Sequence, residues 1–437
     1  MSRKITLTFF QVVALILISS ILGYFYGTNN IGLQWKNYKP IAIIDSKNPP
    51  DGGRLDMSLF YDVLDKVNSK YYDKGKIDPQ KLTYGAISGM LGSLEDPYTS
   101  FFPPKENTSF KTQLAGEFSG IGAELGMSND NRVTVVSPLD NSPAYKAGIR
   151  AGDIIVKVDG KDTSGWTLAQ AVENIRGPKG SKVNLGILHE KQKDSVDVSI
   201  VRDVIVVKSV TGWVKNVKCN EDKCERVDEG SVLGSKVKDQ NASVAYIRLS
   251  QFGDKTNNEW VLLISSLSQD IKKQTNFKGI ILDVRNNPGG YLKDAVFIAS
   301  EFLKNGNVVI QENSSGDRYE MSVVRRGVFT DYPLVVLVNR GSASASEIVA
   351  GALRDHRKIK LVGEKTFGKG TIQEATDVDS GASVHISVAK WLTPNGIWVD
   401  KKGLEPDVKV EFDGDSFKKD PLGFDNQVQK AMMELLK

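Results

Sequence analysis

The chain has 437 residues, more than one ordinary domain contains, so two or three domains are expected. Hydrophobic residues make up 40% of it and charged residues 25%, as in a folded globular protein. Its 57 basic and 53 acidic residues give a net charge of +4 without a basic tract, which argues against nucleic acid as a partner.

An apolar run near the N-terminus predicts a membrane anchor. Arg3 and Lys4 precede the run, which extends from Ile5 to about Tyr26 and is about long enough to cross a bilayer as one helix. The basic residues before it and the long chain after it favour an internal N-terminus and an external remainder. No A-x-A-like cleavage site follows, so we predict a signal anchor over residues 1–28. A cleaved signal peptide is the alternative, and both imply export.

Two further segments precede the longer patterned regions. Residues 29–55 are polar and rich in Pro and Gly, which predicts a linker. Residues 56–115 carry apolar side chains at helical spacing, first over residues 59–67 and then over residues 82–94. This spacing predicts an N-terminal helical region with two helices, the second of which ends at an Asp-Pro pair.

Residues 116–203 form a segment with its own strand and helix pattern. Alternating apolar residues predict strands around Val133, Ile154 and Val183. The spacing of apolar residues from 168 to 175 predicts an amphipathic helix between the second and third of these strands.

Four short motifs also occur in order within this segment. They are Gly120-Ile121-Gly122-Ala123, Ser142-Pro143-Ala144-Tyr145-Lys146-Ala147-Gly148-Ile149, Ala151-Gly152-Asp153-Ile154-Ile155 and Val158-Asp159-Gly160. With these motifs the segment resembles a PDZ domain of the bacterial protease type. A glycine-rich loop can turn backbone amides toward a carboxylate, and the strand edge beside it can take a peptide as an added strand. The resemblance therefore implies that Gly120, Ile121, Gly122 and Ala123 bind the C-terminal tails of substrates.

Residues 204–437 alternate predicted strands with predicted helices. The strands are residues 244–249, 279–284, 334–338 and 359–362, and the helices are residues 257–270, 291–303 and 344–354. This alternation predicts an α/β domain with a largely parallel sheet. Two cysteines, Cys219 and Cys224, would close a small loop at a hairpin tip in an oxidising compartment. No histidine lies near them, so we expect neither a metal nor another cofactor.

Three longer motifs follow one another in this last segment. They are residues 282–290 (LDVRNNPGG), 341–347 (GSASASE) and 363–373 (GEKTFGKGTIQ). With them the chain resembles the tail-specific, or C-terminal processing, peptidase family. The resemblance implies a ClpP/crotonase-like α/β protease core, an inserted PDZ domain of mixed β structure with two helices, and an N-terminal helical segment. It divides the folded chain at residues 56–115, 116–203 and 204–437.

The same resemblance implies a role for individual residues. It makes Ser344 the nucleophile, Lys369 the base and Gln373 the residue that orients the lysine. The backbone amides of Gly290 and Ala345 become the oxyanion donors. The implied protein is an extracytoplasmic serine endopeptidase whose partners are peptides with free apolar C-termini. A homo-oligomer or a regulatory adaptor is left open.

Elementary chemistry is compatible with a serine–lysine pair. A serine hydroxyl needs a base, and histidine is the usual one. None of His189, His356 and His385 lies in a glycine-punctuated loop, so a histidine triad is disfavoured. Lys369 lies between two glycines in Phe367-Gly368-Lys369-Gly370, where its apolar neighbours in sequence are expected to exclude water. It can serve as the base if burial lowers its pKa far enough to keep it neutral.

Neighbouring residues offer alternatives for each role. Ser342 and Ser346 are alternative hydroxyls, and Lys365 is a rival base that the adjacent Glu364 can keep charged. The Ser-x-x-Glu pattern that ends at Glu347 is a capping box, so this glutamate is predicted to be structural. Two other functions stay open: an inactive PDZ adaptor at the membrane, and an acyl-CoA enzyme that uses paired backbone donors.

Overall fold

The computed structural model divides into two compact units, Met1–Thr83 and Tyr84–Lys437. Within the parts of the chain that the structure describes, no helix has both the length and the apolar character that crossing a bilayer requires. The predicted anchor falls almost wholly outside those parts. The described residues are 16–17, 19–20, 31–36, 39–44, 56–128, 130–138, 142–150, 152–189, 192, 194–206, 208–219, 224–226, 242–413 and 425–437.

The first unit contains a hairpin and a helix. Strands β1 (Ile31–Lys36) and β2 (Lys39–Ile44) pair antiparallel. This hairpin departs from the irregular linker predicted for residues 29–55, because its β-branched residues favour a strand despite the surrounding Pro and Gly. Helix α1 (Ser58–Lys70) is the first predicted helix, and a 3-10 turn (Lys74–Lys76) follows it.

Three further elements precede the PDZ-like segment along the chain. Helix α2 (Pro79–Gly92) confirms the second predicted helix. Strand β3 (Ser100–Phe102) and helix α3 (Pro104–Leu114) occupy a stretch that is aromatic and rich in turn residues. Pro104 stands at the first position of α3, where its missing N–H costs no hydrogen bond, so the proline begins this helix rather than breaking it.

The segment with the PDZ-like motifs folds as a small β module. Its apolar side chains form a separate core, and the strands and the amphipathic helix predicted there are confirmed. The first and last strands of the module, β4 and β11, pair with each other, so the chain enters and leaves the module at neighbouring positions. Its elements are β4 (Glu117–Gly120), β5 (Ala123–Met127), β6 (Val133–Pro138), α4 (Pro143–Lys146), β7 (Ile154–Val158), β8 (Lys161–Asp162), α5 (Leu168–Ile175), β9 (Lys182–Leu188), β10 (Val196–Val201) and β11 (Asp203–Val206).

The remainder of the chain forms a larger α/β core. Its strands are β12 (Val210–Cys219), β13 (Cys224–Arg226), β14 (Ala242–Leu249), β15 (Phe277–Asp283), β16 (Asn307–Asn313), β17 (Arg318–Ser322), β18 (Leu334–Val338), β19 (Lys360–Gly363), β20 (Thr371–Asp377), β21 (Ser383–Leu392) and β22 (Val408–Lys409). Its helices are α6 (Thr256–Lys272), α7 (Leu292–Ala299), α8 (Ala345–Arg357) and α9 (Asn426–Leu436).

The main sheet of the core has the strand order β13-β12-β14-β15-β18-β19-β22. Strands β14, β15, β18, β19 and β22 are parallel, which confirms the predicted α/β architecture. One apolar cluster fills the face covered by α6, α7 and α8, and a second lies under α9 on the other face. Both faces are therefore covered, as the continuous apolar sequence of β18 requires.

A second sheet, which the sequence analysis did not predict, has the order β17-β16-β21-β20. Strand β3 also pairs with β21, with Phe102 opposite Ser383. Helix α3 is bound to the β20–β21 hairpin, because Asn107 Nδ2 donates to Gly381 O at 3.0 Å and to Asp377 Oδ1 at 3.1 Å. Residues before the PDZ-like module thus complete a sheet of the core.

The carboxyl end of β15 is fixed by a buried charge network. Arg285 Nη2 donates to Asp283 Oδ2 at 2.6 Å and to Asp425 Oδ2 at 2.9 Å. Burial alone would raise the pKa of Asp283, but Arg285 and Arg248 hold it below the usual carboxyl range. Asp425 also caps α9 by accepting from Val428 N at 2.8 Å. The C-terminal helix is therefore tied to the strand that leads into residues 287–290.

The two cysteines form a disulfide across the β12–β13 hairpin. Cys224 is buried in the apolar cluster beneath α9. The disulfide therefore lies at the edge of the main sheet and closes a hairpin, as the sequence pattern indicated.

Candidate active site

Ser344 immediately precedes α8 and has a left-handed backbone, with φ 55° and ψ −116°. Such a conformation is costly for a residue other than glycine, and it is typical of functional sites. The two neighbouring hydroxyls are fully buried: Ser342 Oγ donates to Val284 O and Ser346 Oγ to Asn287 O, both at 2.8 Å. Of the three serines, Ser344 is therefore the one whose side chain lines a cavity.

The glycine pair beside Ser344 lies too close to other backbone for any side chain. A Cβ added to Gly290 would lie 1.8 Å from Phe252 O, and one added to Gly289 would lie 2.8 Å from Ser344 Cβ. Phe252 N donates to Gly289 O, and Tyr291 N donates to Phe252 O, each at 3.0 Å. These two hydrogen bonds hold residues 289–291 against Phe252 in an isolated bridge. Gly289 also packs against the nucleophile loop (residues 341–344, which carries the predicted nucleophile Ser344).

Two backbone amides at this junction are available to a ligand. Among the described residues, neither Gly290 N nor Ala345 N donates a hydrogen bond. Ala345 is the first residue of α8, where amides have no partner within the helix and the helix dipole is positive. The pair can therefore receive a developing oxyanion.

Asn287, which the sequence analysis did not single out, organises this junction. Its side chain accepts from Gly289 N and donates to Leu249 O, both at 2.9 Å. Its backbone carbonyl accepts from Ala343 N at 3.0 Å. One fully buried residue therefore joins β14, the glycine pair and the nucleophile loop.

Lys369 lines the same cavity as Ser344. Burial lowers the pKa of Lys369, and the charge of Asp96 opposes this effect. The Nζ atom lies 5.1 Å from the centre of the Tyr98 ring. The expectation that apolar neighbours in sequence exclude water from Lys369 was wrong for Phe367, whose side chain is 56% exposed. Residues distant in sequence cover the lysine instead.

Glu347 joins the nucleophile loop to the base loop (residues 364–370, which carries the predicted base Lys369). Its carboxylate accepts from Ser344 N at 2.9 Å, Lys369 N at 3.0 Å, Gly368 N at 2.8 Å and Thr366 Oγ1 at 2.5 Å. Burial raises the pKa of Glu347, and these four donors oppose the rise. The capping-box pattern correctly indicated a structural glutamate, but it gave no sign that the same carboxylate also holds the base loop.

Gln373 and Lys365 differ in part from expectation. Gln373 lines the cavity, but its Nε2 donates to Thr371 Oγ1 at 2.8 Å and to Ser387 Oγ at 3.0 Å. Among the described side chains, no hydrogen bond joins Gln373 to Lys369, or Lys369 Nζ to Ser344 Oγ. Lys365 pairs with Glu405 at 2.8 Å and not with Glu364, because its side chain turns outward to solvent.

The three histidines lie in different places. His189 contacts Asp153 in the PDZ-like module, and His356 contacts Asn307 O at the end of α8. His385, however, lines the cavity, although it lies on β21 and not in a glycine-punctuated loop. It packs on Phe102 with ring centres 4.3 Å apart, and burial, then the charge of Lys369, lowers its pKa. No carboxylate among the described residues is hydrogen-bonded to it, as a histidine base would require.

The cavity itself has a volume of about 630 Å³. Polar groups gather at Ser344, Lys369 and the glycine pair, and the opposite walls are apolar, with Phe110, Ile372 and Trp391 among them. Helix α3 supplies part of these walls, so the segment that enters the PDZ-like module is also part of the site.

The predicted tail-binding residues line a separate groove of about 350 Å³ between β5 and α5. Gly120, Ile121, Gly122 and Ala123 all contribute to it, although the Ile121 side chain is buried in the module's core. Arg176 also lines the groove, close to Gly120, and its guanidinium lies 5.2 Å from the Phe118 ring centre. The groove therefore combines apolar walls with a cation.

Comparisons with known proteins agree with this arrangement. The family model "Peptidase family S41" matches residues 243–410, and "PDZ domain" matches residues 111–188. The carboxy-terminal processing protease CtpA of Bacillus subtilis is 36% identical over 416 residues, which covers 94% of this chain and 78% of that protein. The chain belongs to the carboxy-terminal processing protease family. It is therefore a serine-type peptidase.

Other carboxy-terminal processing proteases support the same assignment. The protein of that name from Bartonella bacilliformis is 36% identical, over 81% of this chain and 75% of its own length. A model named "Activating protease CtpB N-terminal domain" matches residues 22–105. The structure of a putative S41 protease from Bacteroides fragilis covers 90% of this chain and 98% of its own, with a TM-score of 0.55 at 15% identity. This last likeness concerns the fold alone.

The Glu347 contacts generate a prediction for this protease. In Glu347→Gln an amide group replaces one acceptor oxygen, so at least one backbone donor is left unpaired in the interior. We expect kcat to fall about 10- to 100-fold, because the nucleophile and base loops lose their common anchor. Peptide hydrolysis measures the change, and circular dichroism checks the fold. Glu405→Gln, at an exposed position, is the matched control; equal kcat values for the two variants would contradict the linking role of Glu347.

Proposed function

We propose that the protein is an extracytoplasmic serine endopeptidase with a Ser344–Lys369 dyad. The observation that supports this proposal is that a serine with a strained backbone, a partly buried lysine and two unpaired amides line one cavity. Catalysis of acyl transfer needs a nucleophile, a base and donors for the oxyanion, and the cavity offers one candidate for each.

The steps follow from these positions. Neutral Lys369 takes the proton from Ser344 Oγ, which attacks the peptide carbonyl carbon. The carbonyl oxygen becomes an anion that the amides of Gly290 and Ala345 stabilise. The Lys369 ammonium then protonates the leaving amine, and the neutral lysine next activates a water molecule that hydrolyses the acyl-enzyme.

The dyad leads to a prediction in two parts. Ser344→Ala and Lys369→Ala are each expected to reduce peptide cleavage by at least about 10³-fold, as removal of a nucleophile or its base does. Activity of the parent protein is expected to rise with pH, because a protonated lysine cannot accept a proton and burial brings its pKa down toward the assay range. Initial rates between pH 6 and pH 10 measure both effects.

His189→Ala and His356→Ala are the controls for the dyad and are expected to cleave at the parent rate. His385 is unsuitable as a control because it lines the cavity. Substantial cleavage by folded Lys369→Ala would contradict the mechanism. No cleavage by the parent protein with any peptide would favour the inactive adaptor instead.

We further propose that the PDZ-like groove recognises substrate tails. A free C-terminal carboxylate would be received near the glycine-rich residues 120–123 and the Arg176 guanidinium, and apolar tail side chains would enter the groove. A charge-assisted hydrogen bond with arginine is stronger than one between neutral groups, so the free carboxylate contributes specificity.

The backbone also offers a route from this groove to the active site. Asp254 N donates to Leu114 O at 3.0 Å, and Lys255 Nζ pairs with Glu117 Oε1 at 2.7 Å where the chain enters the module. Residue 252, two positions before Asp254, forms the bridge with Gly290. A movement of the module would therefore change the position of the Gly290 amide, the proposed oxyanion donor. This supports a gate, in which tail binding switches on the active site, rather than a tether, in which tail binding only holds the substrate.

Tail recognition is tested with matched peptides that carry a free or an amidated C-terminus. We expect amidation to lower kcat/KM at least about 10-fold in the parent protein. A tether places the loss in KM, and a gate places part of it in kcat, because the bound tail then shifts the population toward a competent state. Arg176→Ala is expected to reduce the preference for the free carboxylate, with Glu173→Ala, an exposed change on the same helix, as control. Equal cleavage of both peptides by the parent protein would contradict both versions.

The location is also a proposal, and the apolar sequence of residues 5–26 supports it. A protease added outside spheroplasts is expected to digest the chain after about residue 29, and the intact protein is expected to remain with membranes after a salt wash. A soluble form that begins near residue 26 would show that the run is a cleaved signal peptide.

A further inference from the structure

The turn that follows α2, residues 95–99, lies against the catalytic lysine. Tyr98 of this turn, which is separated from Lys369 by the whole PDZ-like module, faces its Nζ at 5.1 Å from the ring centre. Both side chains line the active-site cavity. An ammonium over an aromatic face is stabilised by the ring quadrupole, most strongly where water is partly excluded.

Asp96 organises the turn internally. Its Oδ1 accepts from Tyr98 N at 3.0 Å, and its Oδ2 accepts from Thr99 Oγ1 at 2.7 Å. Glu95 has a left-handed backbone, with φ 55°, which lets the chain reverse after α2. The carboxylate thus fixes the backbone that carries the Tyr98 ring, as aspartates do in turns.

The turn is also docked on the hairpin that carries Gln373. Ser387 N donates to Thr99 Oγ1 at 3.1 Å. Gln373 Nε2 in turn donates to Ser387 Oγ at 3.0 Å. A continuous set of hydrogen bonds therefore joins the turn to a residue beside the dyad.

We propose that Asp96 and Tyr98 are positioning residues for the general base, which hold Lys369 Nζ in the cavity and stabilise the ammonium that forms when it takes the Ser344 proton. The ring would supply a surface for the cation, and the carboxylate would supply its counter-charge. This proposal rests on the dyad proposed above. The proton moves from Ser344 Oγ to Lys369 Nζ and later to the leaving amine, so Asp96 neither gains nor loses one.

The other charged groups around Lys369 have different partners. Glu347 is occupied by its four donors, and Asp400 accepts from Gly370 N at 3.1 Å. His385 is the other nearby group that could carry a positive charge. Burial and then the charge of Lys369 lower its pKa. Burial lowers the pKa of Lys369, and Asp96 is the carboxylate that opposes this effect. Hydrogen bonds and the charge of Lys369 outweigh burial and hold the pKa of Asp96 below its usual range, so it stays ionised.

The sign of the expected change follows. In Asp96→Asn the lysine loses the charge that favours its protonated form, so its pKa falls. The acid limb of kcat/KM against pH is expected to move to lower pH by about 0.5–1 unit, because an opposite charge nearby shifts a pKa by about one unit or more. The plateau at alkaline pH is expected to fall about 10-fold, because the ammonium formed in the transition state is less stabilised. A residue that only maintained the fold would lower the plateau without moving the limb.

Glu95→Gln is the matched control. It removes the same charge from the adjacent, exposed position of the same turn, and its acid limb is expected to stay with that of the parent protein. Tyr98→Leu is expected to lower the plateau more than Tyr98→Phe, because only phenylalanine keeps a ring beneath Nζ. An unchanged limb in folded Asp96→Asn, or an equal shift in Glu95→Gln, would overturn the proposal.

A measurement without catalysis separates this proposal from the dyad itself. In the Ser344→Ala background, lysines are dimethylated with 13C, and the Lys369 signal is assigned by its loss in Lys369→Arg. NMR titration is expected to give a lower pKa for this signal when Asp96→Asn is added. The same titration curve with and without Asp96→Asn would overturn the positioning role whether or not the protein cleaves peptides. Cleavage by Lys369→Ala would instead contradict the dyad.

Discussion

The active site depends on one buried carboxylate that touches neither reacting atom. Glu347 is fully buried and accepts four hydrogen bonds, three of them from backbone amides of the nucleophile and base loops. A carboxyl group in the interior is tolerated only when its oxygens are satisfied, so the two loops and the Glu347 side chain stabilise each other. The distance between a serine and a lysine from separate loops is thereby set by backbone contacts, which vary less than side-chain rotamers.

Backbone contacts set the rest of the site as well. The glycine pair approaches Phe252 and Ser344 so closely that a methyl group would collide with each. Asn287 and the Asp283–Arg285 network hold the same loop from the side of the main sheet. The α/β core therefore fixes the two amides through backbone contacts, whereas Lys369 and Gln373 reach the cavity through longer side chains.

Much of this arrangement could be predicted from local sequence. Apolar periodicity located the parallel strands and their helices, and the glycine-punctuated motifs pointed to Ser344 and Lys369. The second sheet contains two local hairpins, but the pairings that join them and add β3 connect residues far apart in sequence, such as Phe102 and Ser383, so the sheet was missed. For the same reason His385 and Tyr98 were not expected in the cavity. The prediction that Phe367 excludes water from Lys369 was wrong. Local patterns carry no information about which distant residues cover a side chain.

The order in which the chain is synthesised determines when β3 can pair with β21. Asn107 and its partner Asp377 are 270 residues apart, and a chain is synthesised N-terminus first at about 5–20 residues per second. The aromatic wall and the turn over Lys369 therefore emerge roughly ten seconds to a minute before the hairpin they complete. During that interval the PDZ-like module, whose entry and exit strands pair with each other, can fold alone. A nascent chain thus gains the PDZ-like groove before it has the complete candidate active site.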